Sequence, residues 1–384
     1  MARAPVYLDY HATTPVDPRV LEAMLPYFTE NFGNAASSTH AWGWRARDAV
    51  EAARRDVAVL VGALPREIVF TGGATESNNM AIHGVAATAP ASRRHIVVSS
   101  IEHKSVLEPA QHLAASGWRI TVAPVGRDGR IDVDALAGTV GDDTALVSVM
   151  AANNEIGVLQ PLADIAAIAH AHGSLFHVDA AQAAGKVPID VHGTGIDLLS
   201  LTAHKIYGPK GTGALFVRKR LQLDPLITGG GHEHGLRAGT MNVPGIVGLG
   251  RASAICRDEM PAESARVRRL RDRLLAGLRD GLDGVTVNGS LEHRLPNNLH
   301  VSFEGVDGES LLVGLSDIAV SSSSACSSAS GTPSHVLSAI MHDEPVPSAS
   351  IRFGLGRFTT DEDIDYAAAR FVAVVRHLRR MAPV

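Results

Sequence analysis

The chain has 384 residues, 45% of them apolar and only 4% aromatic, so a substantial core resting on Ala, Val, Leu and Ile can be buried in one large and one small domain, or in two of middle size. A net charge of -5 argues against a nucleic-acid binder that relies on a broad basic surface. Two cysteines, Cys256 and Cys326, cannot make a disulfide framework and point to a reducing compartment.

The N-terminal segment MARAPVYLDYHATTP has no long apolar run and carries Asp9 early, so no signal peptide is expected. No stretch of about 18 uninterrupted apolar residues occurs anywhere, so no membrane helix is expected, and the protein reads as soluble and cytoplasmic. From Ile68 to Val217 the pattern is strand, polar turn, helix, repeated. Apolar runs fall at Ile68–Phe70, Ile96–Val98, Leu146–Met150, Leu175–Val178, Leu198–Leu201 and Ala214–Val217. Between two of them, Leu162, Ile165, Ala166 and Ala169 keep helical spacing, and Gly173 is placed to end that helix. This alternation predicts an α/β domain with a mostly parallel sheet.

Thr228 to Gly250 is Gly-rich and without period, and reads as a long ordered loop. A helix is expected from about Ala262 to Leu282. It is followed by strands at Val285–Val287, at the alternating Leu299, Val301 and Phe303, and at Ile318–Val320. A Ser-rich loop around Cys326, a strand at Ser350–Phe353 and a final helix with a Thr360/Asp363 capping box complete a smaller α+β domain. No internal repeat is visible.

Ligands of open α/β sheets bind beyond the carboxyl ends of the strands. The segments there are TGGATESNN, SSIEHKS, AANNEIG, DAAQ and TAHKIYGPKG. They would bring to one edge a Gly-rich turn into a helix, His103, Asn154, Asp179 with Gln182, and Lys205 flanked by Thr202 and His204. Pyridoxal phosphate chemistry requires such a set. It needs an amine that can lose its proton, which Arg cannot supply; a carboxylate facing the ring nitrogen; and N–H groups at a helix start for the phosphate. Lys205, Asp179 and the Gly73–Thr75 turn are the candidates. Only five lysines occur (Lys104, Lys186, Lys205, Lys210, Lys219) in an Arg-rich background, so each retained Lys draws attention. Taken singly these features have ordinary readings as tight turn, loop His, helix cap or exposed Lys. Their coincidence at five strand ends favours a site without by itself naming the cofactor.

At these residues the chain resembles the cysteine desulfurases of the NifS/IscS type, within the fold-type-I pyridoxal phosphate enzymes. The motifs run in family order from YLDYHATTPVDPRV through FTGGATESNN, EHKSV, NNEIG, HVDAAQ, HKIYGPKG, GGGHEHGLRAGT and SSSSACSSAS to SIRFGLGRFTT, and cover nearly the whole chain. The resemblance implies a large domain over 15–255 with a mostly parallel seven-stranded sheet, and a small domain of 1–14 and 256–384 that carries the Cys loop. It implies that Lys205 condenses with the cofactor aldehyde and then moves the substrate Cα proton. His103 would stack on the pyridine ring and serve in acid–base steps, Asp179 would pair with the ring nitrogen, and Gln182 would contact the phenolate oxygen. Asn154 would help hold cofactor or substrate carboxylate. Ala74, Thr75, Thr202 and His204 would bind the phosphate, and Thr240 would reach the phosphate of the other subunit of a homodimer. Arg352 would clamp the carboxylate of L-cysteine. Cys326 would take the sulfur as a persulfide and deliver it to an acceptor protein, a scaffold or a thiolation enzyme.

Cys256, among Ala252, Ala254 and Ile255, is expected to pack in the core. Ser323 stands where many relatives have Gly, and His11 where relatives often carry a small polar residue. The chain ends at RHLRRMAPV, where housekeeping members usually continue, so iron–sulfur assembly, tRNA thiolation and DNA phosphorothioation all stay open as destinations. Rival readings are a selenocysteine lyase, an aminotransferase or a non-catalytic sulfur relay. No permanent metal is expected. The GHEHG segment at His232, Glu233 and His234 offers too few ligands, and Cys326 could hold an iron–sulfur cluster in transit.

Overall fold

The structure is a computed structural model and describes residues 5–322, 334–342 and 344–381; Cys326 and Ser323 lie outside the described residues. In chain order the strands are β1 (Val6–Tyr7), β2 (Ile68–Thr71), β3 (His95–Ser99), β4 (Arg119–Ala123), β5 (Thr144–Ser148), β6 (Leu175–Asp179), β7 (Leu198–Thr202), β8 (Gly213–Val217), β9 (Val285–Val287), β10 (Asn298–Phe303), β11 (Ile318–Ala319), β12 (Ser321–Ser322) and β13 (Ser350–Gly354). The α-helices are α1 (Pro18–Met24), α2 (Pro26–Thr29), α3 (Ala41–Val61), α4 (Ala74–Thr88), α5 (Lys104–Ala114), α6 (Val133–Thr139), α7 (Leu162–Ala171), α8 (Val191–Thr194), α9 (Val243–Gly281), α10 (Gly308–Gly314), α11 (His335–Met341) and α12 (Asp361–Met381).

Seven strands form one sheet in the order β2-β8-β7-β6-β5-β3-β4. All neighbours are parallel except β8, which runs against β2 and β7. Helices between the parallel strands cover both faces, so the strands are apolar on both sides. Side chains alternate accordingly. Val97, Val147, Phe176, Val178, Leu199 and Phe216 enter one core, whereas Val98, Leu146, Leu198 and Leu215 enter the other. The seventh strand, β4, has no counterpart among the six apolar runs seen in the sequence. As the sheet's edge it is only half covered, and its RITVA mixes charge and polarity with apolar residues.

A second sheet, β12-β13-β10-β9, is antiparallel and packs on the second half of α9 and on α12 through Leu274, Leu278, Val301, Phe353 and Phe371. β1 pairs with β11, and Val6 and Leu8 join this second core. The Thr360/Asp363 box caps α12 through reciprocal 3.1 Å bonds between Thr360 and Asp363.

Helix α9 corrects the sequence reading. It begins at Val243, well before Ala262, and takes in the last part, from Val243 to Gly250, of the Gly-rich run read as loop. Its glycines form a packing face. A Cβ at Gly250 would lie 2.5 Å from Ala53 Cα in α3, and one at Gly248 would lie 2.6 Å from Met24 Sδ. Glycine here lets helices approach closely, at a cost in helix propensity that the contact offsets. The position 255/256 falls inside α9. Residues up to Cys256 pack in the first core, and Leu270 onward in the second.

Candidate active site

The carboxyl ends of β2, β3, β5, β6 and β7 open on one cavity of about 920 Å³, whose walls include His11, Gly73, Ala74, Thr75, His103, Asn154, Asp179, Gln182, Thr202, His204, Lys205 and Arg352. Every candidate named from the sequence lines it except two. Thr240 is exposed and lies outside this wall. Cys326 falls outside the described residues.

The strand-to-helix turn after β2 depends on glycine. Gly73 has φ +147°, a region side chains rarely enter, and a Cβ on the facing Gly213 would sit 2.6 Å from Gly73 Cα. Gly73 caps α4 without a side-chain hydrogen bond, so the first N–H groups of a 15-residue helix face the cavity beside Thr202 and His204. An uncapped helix start flanked by a hydroxyl and an imidazole fits a phosphate. Burial, together with Lys205, Lys210 and Lys186, pushes His204 down to about 4, and an anion in this cradle would oppose that shift.

Asp179, at the end of β6, is 4% exposed. One oxygen accepts from Ala181 N (2.9 Å) and the other from Asn78 Nδ2 (2.8 Å). Asn78 Nδ2 also donates to Ser105 Oγ (2.8 Å), which lies 2.8 Å from His103 Nδ1. His103 caps α5, and its Nδ1 accepts from Ser105 N (3.1 Å). That bond leaves the neutral ring protonated at Nε2. Burial holds His103 below its usual range, against the pull of Asp179. Asp179, Asn78, Ser105 and His103 thus form one connected chain, with Asn78 buried behind the three that line the cavity. Asn78 and Ser105 were not singled out from the sequence, although both lie inside quoted motifs, TESNN and EHKSV.

Lys205 follows β7 on a single 3₁₀ turn, and its Nζ donates to the carbonyls of His11 and Ala12 (2.6 Å to the latter). The next turn holds Tyr207 at φ +67°, fixed by Thr14 Oγ1 on its N–H (2.9 Å) and by the Arg357 guanidinium 4.2 Å above its ring. Arg352, on β13 of the second sheet, is 5% exposed and held by Asp9 Oδ1 (2.8 Å), Ser321 Oγ (2.9 Å) and Asn154 O (3.0 Å). Its Nε is buried with no partner among the described residues, as are Asn78 Oδ1 and His11 Nε2. Of these residues Arg352 and His11 line the cavity, and orphaned polar atoms there are what a site built for a polar ligand presents.

The residues present therefore fit pyridoxal phosphate: an amine, a carboxylate for the ring nitrogen, a helix start for the phosphate and a guanidinium for a carboxylate. The GHEHG segment has a different task. Glu233 is 5% exposed, makes two bonds of 2.7 and 2.8 Å to Arg54, and accepts Phe70 N. Its carboxylate ties the loop to α3 and β2. Cys256 packs in the core as expected, and burial raises its thiol to about 11.

The chain belongs to the class-V aminotransferase family, whose profile matches residues 6–367. It is accordingly a fold-type-I pyridoxal-phosphate-dependent enzyme. Cysteine desulfurase IscS of Anaeromyxobacter dehalogenans is 55% identical over 383 residues, 99% of this chain and 95% of that protein. A solved NifS-like protein superposes with a TM-score of 0.91 at 40% identity, over 97% of this chain and 100% of that one. SspA, solved in complex with cysteine, matches at 0.82 and 38% identity, over 92% of this chain and 100% of that one.

Proposed function

We propose that this chain is a cysteine desulfurase that converts L-cysteine to L-alanine and holds the sulfur as a persulfide on Cys326 for delivery to an acceptor protein. The observation that carries the reading is the convergence of Lys205, Asp179 and Arg352 on one cavity with an uncapped helix start. Full-length relatives carrying the desulfurase name support it.

Bound pyridoxal phosphate supplies an aldehyde for amines and a ring that accepts the electron pair left when the substrate Cα proton departs. The protein's residues do the rest. The Gly73–Thr75 turn, Thr202 and His204 would hold the phosphate. Asp179 would face the ring nitrogen and keep it protonated, and Gln182 would donate to the ring oxygen. Lys205 would be the amine that holds the cofactor aldehyde, and its Nζ would take up the substrate Cα proton. His103, with its proton on Nε2, serves as acid on the other side. Arg352 and Asn154 orient the substrate carboxylate. The Cys326 thiolate then attacks the substrate Sγ. The new bond is S–S, the bond broken is Cβ–Sγ, and its electron pair stays on Cβ, which is protonated to give alanine.

We further propose that the cores on either side of 255/256 act as a large and a small domain, and that the protein is a cytoplasmic homodimer. Exposed Leu25, Phe28, Phe32, Trp42, Leu226 and Ile227 support a covered face, and the exposed Thr240 would serve the partner's phosphate site. No helix among the described residues is long and apolar enough to cross a membrane.

Incubation with L-cysteine and a thiol reductant should release sulfide and alanine in equal amounts. Lys205→Ala should abolish borohydride-fixed cofactor, and Cys326→Ser should keep the cofactor but lose turnover. Sulfide release by Cys326→Ser at the wild-type rate would remove the thiol from the mechanism. Absence of fixed cofactor at Lys205 in the parent protein would sink the whole reading.

A further inference from the structure

Two residues given no task so far converge on Gln182. Its Nε2 donates to the backbone carbonyl of His11 (2.9 Å). Its Oε1 faces His11 Nδ1 (2.9 Å) and Lys186 Nζ (3.2 Å). A carbonyl can only accept, so the group facing His11 O must be the amide NH2. The amide oxygen therefore lies on the other side, against two donors, and His11 carries its proton on Nδ1. Turning the amide over would set oxygen against oxygen at His11 O and an N–H against the Lys186 ammonium. The orientation follows from chemistry and does not depend on assigning the amide atoms.

We propose that His11 and Lys186 are positioning residues that lock the Gln182 amide so that its remaining N–H points into the cavity and donates to an anionic ring oxygen of the cofactor. This rests on the pyridoxal phosphate reading of the site. With both lone pairs of Oε1 filled and one N–H on His11 O, one N–H is left, and Gln182 lines the cavity. His11 is 1% exposed and burial holds its imidazole well below the usual range, so it acts as a neutral donor. Lys186 comes from the turn after β6. Lys205 from the β7 turn, Cys256 and Glu263 from α9, and Arg352 from β13 act on its charge, and desolvation lowers it to about 7. A lysine kept in an interior turn thus gains a role beyond charge: polarising an amide that must donate.

The test is a double-mutant cycle on pyridoxal phosphate affinity, titrated into the apo full-length chain and read by fluorescence. Lys186→Met and His11→Leu should each raise Kd about tenfold, the loss expected for one hydrogen bond to a polarised amide. His11→Asn, which can still donate to Oε1, should recover most of it. On a Gln182→Ala background, Lys186→Met and His11→Leu should add nothing. The pH midpoint of the reconstituted visible band should rise by about one unit in Lys186→Met, because a nearby cation is lost and the Gln182 donor is held less firmly. Full-strength effects on the Gln182→Ala background, or a wild-type Kd in the single variants, would overturn the proposal. Should Lys186→Met fail to fold, the His11→Leu and His11→Asn pair carries the same cycle. A parent protein that binds no pyridoxal phosphate would instead overturn the function reading.

Discussion

Asp179 has two oxygens with different partners: one on a backbone N–H, the other on Asn78. Both are donors, so Asn at position 179 could keep the Ala181 bond through its amide oxygen while removing the charge, with the Asn78 amide turning its oxygen toward the new N–H. Asp179→Asn should therefore fold normally and keep borohydride-fixable cofactor. It should lose about 10²- to 10³-fold in kcat, the scale of one electrostatic group removed from a preorganised site, measured as alanine release. Glu102, next to His103, is fully buried; Oε1 accepts from Ser99 Oγ and Met150 N, and Oε2 has no partner among the described residues. Burial raises its carboxyl to about 8. Between about 4.5 and about 8 the folded state holds a proton that the unfolded state has released, so this group's contribution falls as pH rises through that window. Glu102→Gln should gain on the parent by at least about 1 kcal/mol between pH 5 and pH 8.5 in denaturant melts. An unchanged difference would mean that Glu102 ionises normally.

The loop from 226 to 242 and the helices beneath it meet through one buried ion pair. Arg54 in α3 is 3% exposed, and Glu233 is bonded to it twice. Removing one partner of such a pair leaves a buried charge uncompensated, at a cost of about 3–5 kcal/mol. Arg54→Met should lower stability by that amount. Adding Glu233→Gln, which still accepts from Phe70 N, should restore more than half, as read from urea midpoints. The same elements explain why α9 was only half legible. Gly245, Gly248 and Gly250 signal a loop by composition, and only the approach of α1 to Gly248 and of α3 to Gly250 makes a contact face there.

Over the whole molecule, buried imidazoles set the acid limit. Desolvation pushes His177 and His300 down to about 3 and His95 to about 4. Unfolded, each takes up a proton near pH 6.5, so the folded state is favoured above that pH and loses ground as pH falls toward 4. Thermal midpoints should drop steadily as pH falls below 6. Replacing His177, which sits between Ser148 Oγ (2.8 Å) and Ser200 Oγ (3.0 Å), by Gln should flatten that drop.

Much of the site could be read from local chemistry. A Lys after a strand, an Asp at a strand end and a Gly-Gly turn into a helix keep their roles wherever the sheet places them, because strand direction alone sends their side chains to one edge. Short apolar runs likewise identified the buried strands of the large sheet, whereas the half-polar edge strand β4 lacked that signal. What the chain could not disclose was which distant groups meet. Lys186 and His11 lie 175 residues apart and share one amide oxygen only after β6 and the N-terminal segment are packed together. Asn78, Ser105 and Asp179 join into one network because α4 and α5, which follow β2 and β3, pack against each other and α4 crosses the sheet to β6, a fact of tertiary packing and not of spacing along the chain.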